Sequence, residues 1–126
     1  MATSEVLDGD FDSILSVLEQ YFRGLHMGDA DKLKAIFHED TWLKAPGVRR
    51  SLSMWLDDVK NRQKPAEIDS PFRFKVLSID IVKEQAMAKV YCPLFEFHYI
   101  DFIGLLKEQE QWKIVNKMYV DTKQAF

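Results

Sequence analysis

Residues 99–120 read YIDFIGLLKEQEQWKIVNKMYV, and the division of this stretch decides the fold. Two apolar-rich runs flank the polar EQEQ, so the segment reads as two β-strands folded back about Gln109-Glu110. On simple alternation one face carries Asp101, Ile103, Leu105, Trp112, Ile114 and Asn116, and the other Phe102, Gly104, Leu106, Val115, Lys117 and Tyr119. Both faces are too apolar for bulk water. Such a hairpin needs helices on one side and a second surface on the other. The expectation is a cupped sheet with a pocket inside and a subunit contact outside.

Upstream, Ile14, Leu15, Leu18, Tyr21, Phe22 and Leu25 form one helical stripe, predicting a helix from about Phe11 to Met27. Asp10 or Asp12 can cap its start, and Gly28 suits a left-handed end. Asp29 can cap a second helix, DADKLKAIFHED, with Leu33, Ile36 and Phe37 on its inner side. Thr41–Ala45 reads as a short strand stopped by Pro46-Gly47. Ser51 caps a third helix through Leu52, Trp55, Leu56 and Val59, and QKPAEIDSP is a loop.

From Phe72 the period becomes two. Phe72, Phe74 and Val76 alternate, then Leu77, Ile79 and Ile81 continue in the opposite phase, as a β-bulge or a doubly covered strand would give. Ala86–Cys92 is the next strand. Three helices and a short strand ahead of a four-stranded meander make an α+β fold in one domain, residues 1–126. The helices cover one sheet face, which twist and curl make concave.

The 126 residues are 47% hydrophobic and 29% charged, a globular composition, with a net charge of −3. No basic cluster exceeds Arg49-Arg50, which excludes a nucleic-acid face. Cys92 is alone, so no intrachain disulfide forms and a buried small hydrophobe is expected. The start, MATSEVLDGD, lacks a signal-peptide pattern, and no apolar run is long enough for a membrane span, so a cytoplasmic protein is expected. His26, His38 and His98 lack metal-ligand spacing, and the five glycines form no phosphate loop, so no metal or cofactor is expected.

Asp101 is the leading chemical candidate. On simple alternation it shares a cavity with Asn116, where an apolar environment would raise its pKa toward general acid–base use. Alternatively it sits at the rim, bonded to backbone, a hydroxyl or Lys117. His38, in FHED, either caps a helix C-terminus or assists Asp101 at the pocket mouth. The 13% aromatic content fills the core first, with Phe22 and Tyr99 among the rings available to a pocket.

The stretches YFRGLHMGDADKLKAIFHED (21–40) and YIDFIGLLKEQEQWKIVNKMY (99–119) carry a resemblance covering essentially the whole chain. It resembles the nuclear transport factor 2-like superfamily, nearest its bacterial SnoaL-like and "putative lumazine-binding" branch. The resemblance implies a cone: a curved, mostly antiparallel mixed sheet around a long N-terminal helix, an apolar pocket at one end, and dimers through the outer sheet face. It would place Trp42 and Trp55 at the pocket mouth. Related isomerases, dehydratases, epoxide hydrolases and polyketide cyclases use pocket aspartates with histidine, tyrosine or arginine helpers; here Asp101 stands without a second member.

Three functions fit. The first is a homodimer binding a small apolar or aromatic ligand, with Trp42, Trp55, Tyr99, Phe22 and Asn116 around it. The second is a cofactor-independent proton-transfer enzyme with Asp101 as base and His38 or Tyr99 assisting. The third is a dimeric interaction module whose pocket is filled by side chains.

Overall fold

The computed structural model describes the backbone of residues 3–126 and the side chains from Gly9 onward. Helix α1 (Thr3–Met27) starts ahead of the expected Phe11, so Asp10 lies within it instead of capping it. Its predicted stripe is buried, with Ile14, Leu18, Tyr21, Phe22 and Leu25 in the core. Gly28 ends the helix at φ +62°, a left-handed conformation that costs glycine little. Asp29 then caps α2 (Ala30–Ile36), accepting from the Lys32 N–H at 3.0 Å.

Helix α2 stops short of the FHED segment. Phe37 is already extended and opens strand β1 (Phe37–Ala45), so the expected short strand is longer and His38 is no helix cap. Tertiary packing overrides the helical pattern here. The Phe37 ring lies 6.0 Å from Tyr21 and 5.3 Å from Trp55. Residues 38–41 loop out between the paired positions Phe37↔Ile114 and Trp42↔Asn116. Buried Thr41 pins this irregularity, its hydroxyl 2.6 Å from the His38 carbonyl and 3.0 Å from that of Ile114.

Pro46-Gly47 turns the chain into β2 (Val48–Ser51), which the short polar VRRS does not announce. Ser51 caps α3 (Leu52–Asn61) as expected, accepting from Met54 N–H at 3.3 Å. A 3₁₀ turn (Pro65–Ile68) lies in the predicted loop. The meander follows as β3 (Lys75–Val82), β4 (Gln85–Leu94), β5 (Phe97–Glu108) and β6 (Gln111–Asp121). The six strands lie in the order β2-β1-β6-β5-β4-β3, with β1 parallel to β6 and every other pair antiparallel. This is the expected α+β architecture, three helices packed with a curved mixed sheet. No described helix is long and apolar enough to cross a membrane.

Two bulges shape the sheet. In β3, Val76 pairs with Val90 and Ser78 with Lys89, leaving Leu77 unpaired where the apolar phase slips. In β6, Ile114 pairs with Leu105 and Asn116 with Gly104, leaving Val115 unpaired. One extra residue flips everything after it to the other face. Asn116 therefore turns outward, while Lys117 and Tyr119 turn inward opposite Ile103 and Asp101. Simple alternation gave the reverse. The predicted turn is where it was expected, with Gln109 and Glu110 at φ 52° and 66°, as a two-residue primed turn requires.

Far from the α1 C-terminus, a polar clasp ties the helix to this hairpin. Asp10 Oδ1 accepts from Lys107 Nζ at 2.9 Å and from Trp112 Nε1 at 3.2 Å. The Lys107 bond, helped by Trp112, holds the Asp10 carboxyl below its ordinary pKa although burial opposes this. Because the folded value is lowered, the clasp stabilises fully above the unfolded carboxyl pKa of about 4. That contribution disappears as pH falls through the folded value. Urea denaturation should find Asp10→Asn less stable than wild type at neutral pH, with the gap closing as the medium is acidified.

Candidate functional site

Near the C-terminal half of α1, the inner sheet face and α3 enclose a cleft of about 50 Å³. Its floor is Asp101 of β5, only 2% exposed. Tyr21, on the buried stripe of α1, donates its hydroxyl hydrogen to Asp101 Oδ2 at 2.6 Å. Lys117, brought inward by the β6 bulge, holds Nζ 3.8 Å from the same oxygen, close enough for an ion pair but too far for a hydrogen bond. Cys92 of β4 is also buried there.

The charges are held by the aromatic walls. Lys117 Nζ lies 4.5 Å from the centroid of the Trp55 ring, 5.2 Å from that of Tyr21 and 5.6 Å from that of Tyr119, all within cation–π range. Tyr99 meets Tyr119 edge to face at 5.8 Å. Burial pushes the Tyr21 hydroxyl well above its ordinary pKa, and Asp101 adds to this, so Tyr21 stays a donor. Burial lowers Lys117, with the Asp101 carboxylate opposing the shift. The Cys92 thiol is raised by burial and by Asp101, which leaves it protonated and unreactive.

Two arginines complete the lining. Arg50 of β2 bonds Asp58 at 2.7 Å and reaches the Tyr119 hydroxyl at 3.4 Å. Arg62, the residue that ends α3, also lines the cleft. Arg50 Nε and Arg62 Nη2 are both buried with no hydrogen-bond partner. Burial lowers the Arg62 pKa, and the facing Arg50 adds to this.

The structure thus brings together three of the residues singled out from sequence: Asp101, Trp55 and Tyr99. Trp42 and Asn116 are register partners on the convex face, Trp42 being 46% exposed, so neither borders the cleft. Phe22 is core, stacked on Phe74 at 5.1 Å. His38 is half-buried beside Leu106 and Gln111, bonded to Asp40 at 2.7 Å. Leu106 alone is five residues along β5 from Asp101, roughly 17 Å at a strand's rise, so His38 cannot assist it. Tyr21, Lys117, Tyr119, Arg50 and Arg62 were not assigned to the cleft from sequence. A bulge allowed at Ile114-Val115 would have found Lys117 and Tyr119; no local signal marks the arginines.

Among the described residues, no three His, Cys, Asp or Glu side chains are grouped to hold a metal. What the arrangement offers is a buried carboxylate, an ammonium and two guanidinium groups between aromatic rings. Removing one member of a buried ion pair strands the other. Lys117→Met should destabilise the protein by about 3–5 kcal/mol in urea denaturation, and adding Asp101→Asn should recover part of that loss.

The family model described as "Putative lumazine-binding" matches residues 9–120. No functionally curated protein matches the chain. Among solved structures, it is similar to an NTF2-like protein of unknown function from Shewanella baltica OS155, with TM-score 0.77 and 24% identity over 89% of this chain and 93% of that one. A second, from Silicibacter pomeroyi DSS-3, gives TM-score 0.76 and 20% identity over 96% and 99%. A third, from Methylobacillus flagellatus KT, gives 0.72 and 25% over 88% and 90%. The chain therefore belongs to the "putative lumazine-binding" family and has the fold of NTF2-like proteins.

Proposed function

We propose that this protein is a small-ligand-binding domain whose site is the cleft around Asp101, and that it works as a homodimer through its convex sheet face. The supporting observation is the buried Asp101–Lys117–Tyr21 set at the floor of an aromatic-walled cavity. Buried ion pairs contribute little net stability compared with apolar packing of the same volume, so retaining one beside a cavity favours a ligand role. The cavity is smaller and more polar than the expected apolar-aromatic pocket, because Trp55 fills much of the interior. At about 50 Å³ it falls well short of the few hundred Å³ that enclose a whole small molecule. It takes the end of a ligand whose body rests on the partly exposed Tyr99 and Tyr119.

Proton transfer by Asp101 is the weaker reading. The Tyr21 bond occupies the carboxylate, and the sequence-predicted helper His38 lies away from it. A thermal-shift series with lumazines, flavins and small aromatic acids tests the binding reading. A true ligand should raise the melting temperature progressively, by about 2.7 kcal/mol of stabilisation at a hundredfold excess over Kd. Tyr99→Ala should abolish that rise and Trp42→Ala, outside the cleft, should preserve it. The opposite pattern would remove the site from the cleft.

For the dimer, Phe102 and Leu106 do face outward as expected, whereas Tyr119 faces in and Val115 is spent on the bulge. Met87, Met118 and Val120 join Phe102 there, each between 38% and 48% exposed. Unpartnered apolar side chains on this scale favour a covering surface, and a second copy supplies a matching one. Phe102→Glu should shift sedimentation from dimer to monomer, losing roughly 2 kcal/mol or more of association energy. A wild-type monomer at micromolar concentration would sink the dimer.

A further inference from the structure

We infer that the cleft is an anion site and that the buried end of its ligand is a carboxylate, with Arg62 as its principal counter-charge. This rests on the reading of the cleft as the ligand site, and it specifies the chemistry of what enters.

Charge comes first. Three cations border the cavity: Lys117, Arg50 and Arg62. Lys117 is matched by Asp101 at 3.8 Å, and Arg50 by Asp58 at 2.7 Å. Arg62 has no ion-pair partner among the described residues. The lining therefore carries one surplus positive charge, and a single negative charge entering the cleft neutralises it. A desolvated charge without a partner is unfavourable, so an anion is bound where the protein has already met that cost.

Hydrogen bonding points the same way. Arg50 Nε and Arg62 Nη2 are buried donors with nothing to donate to. Arginine has donors only, so an acceptor must come from outside the chain. Asp101 is not that acceptor for either one, since neither guanidinium bonds it. Apart from the three cations and Asp101, which is already paired with Lys117, the lining offers only hydroxyls, a thiol, an indole and apolar groups, so an ammonium or guanidinium on the ligand would meet no free carboxylate. A cationic ligand would add to the surplus charge, and a neutral one leaves it standing.

Size selects among anions. A cavity near 50 Å³ admits a group of a few atoms, on the scale of one or two waters. A planar carboxylate fits this space, carries a single charge, and matches the fork of a guanidinium. A phosphate brings more charge than the surplus and more volume.

The test compares benzoate, benzamide, benzylamine and inorganic phosphate on the whole protein, by isothermal calorimetry in a carboxylate-free buffer at constant chloride. Benzoate should bind and benzamide and benzylamine should not. Arg62→Met should weaken benzoate roughly 10- to 100-fold, the effect of losing a charged hydrogen-bonding partner. Arg62→Lys should restore part of the affinity. Without ligand, Arg62→Met should melt no lower than wild type, because it removes a desolvated charge; a purely structural arginine would lower it.

Equal binding of benzoate and benzamide, both lost in Tyr99→Ala, would overturn the anion inference while the ligand site itself survived. Binding of neither would overturn both. Tighter binding of phosphate than of benzoate would overturn the carboxylate assignment. Arg62→Met that melts lower with benzoate affinity unchanged would make the arginine structural and sink the proposal.

Discussion

The contact on which this architecture turns is the 2.6 Å hydrogen bond from Tyr21 to Asp101, made across 80 residues of sequence. It joins the buried stripe of α1 to the inner face of β5, deep in an apolar interior. A carboxylate in that position is tolerable only when its oxygens find donors and its charge finds a counter-charge. Tyr21 supplies the donor, and Lys117 supplies the charge from the neighbouring strand. Lys117 in turn needs a polar or π environment, which Trp55, Tyr21 and Tyr119 provide. Each buried polar group thus fixes the next, and the chain of requirements runs from helix to sheet to α3.

The fold was legible because most of its signals are local. The stripes of α1 and α3, the Gly28 terminator, the Ser51 cap and the Gln109-Glu110 turn each follow from a few adjacent residues, and each is where expected. The β3 bulge was one of two readings of the phase change at Leu77, the other being a strand covered on both faces. The β6 bulge was not legible. In WKIVNKMY both Ile114 and Val115 are apolar, so the extra residue leaves no break in the pattern, and strict alternation carries the wrong side chains inward. Lys117 and Tyr119 were hidden by that single residue. Likewise FHED continues a helical stripe convincingly until Phe37 is claimed by Tyr21 and Trp55.

The arginines were hidden for a different reason. Arg50 lies on a four-residue strand and Arg62 just past α3, twelve residues later, and both read as solvated surface charges. Only the curvature that brings β2 and the end of α3 over the inner face turns them toward one cavity. Convergence of this kind is a property of the tertiary fold, and no periodicity in the chain encodes it.

This division bears on how far family membership reaches. The apolar stripes and the meander specify a container that distant chains share at about a quarter identity or less. The contents depend on side chains whose replacement would leave that container standing. Asp101 and Lys117 sit on β5 and β6, the two central strands of the sheet, where the scaffold dictates their positions. Arg50 and Arg62 sit on the sheet's edge strand and at a helix end, where substitution disturbs little packing. A cone that keeps the first pair and exchanges the second would retain its fold and change the charge of its cleft. The charge around the cavity is therefore set by the exchangeable pair and not by the scaffold, and in this chain that balance is positive.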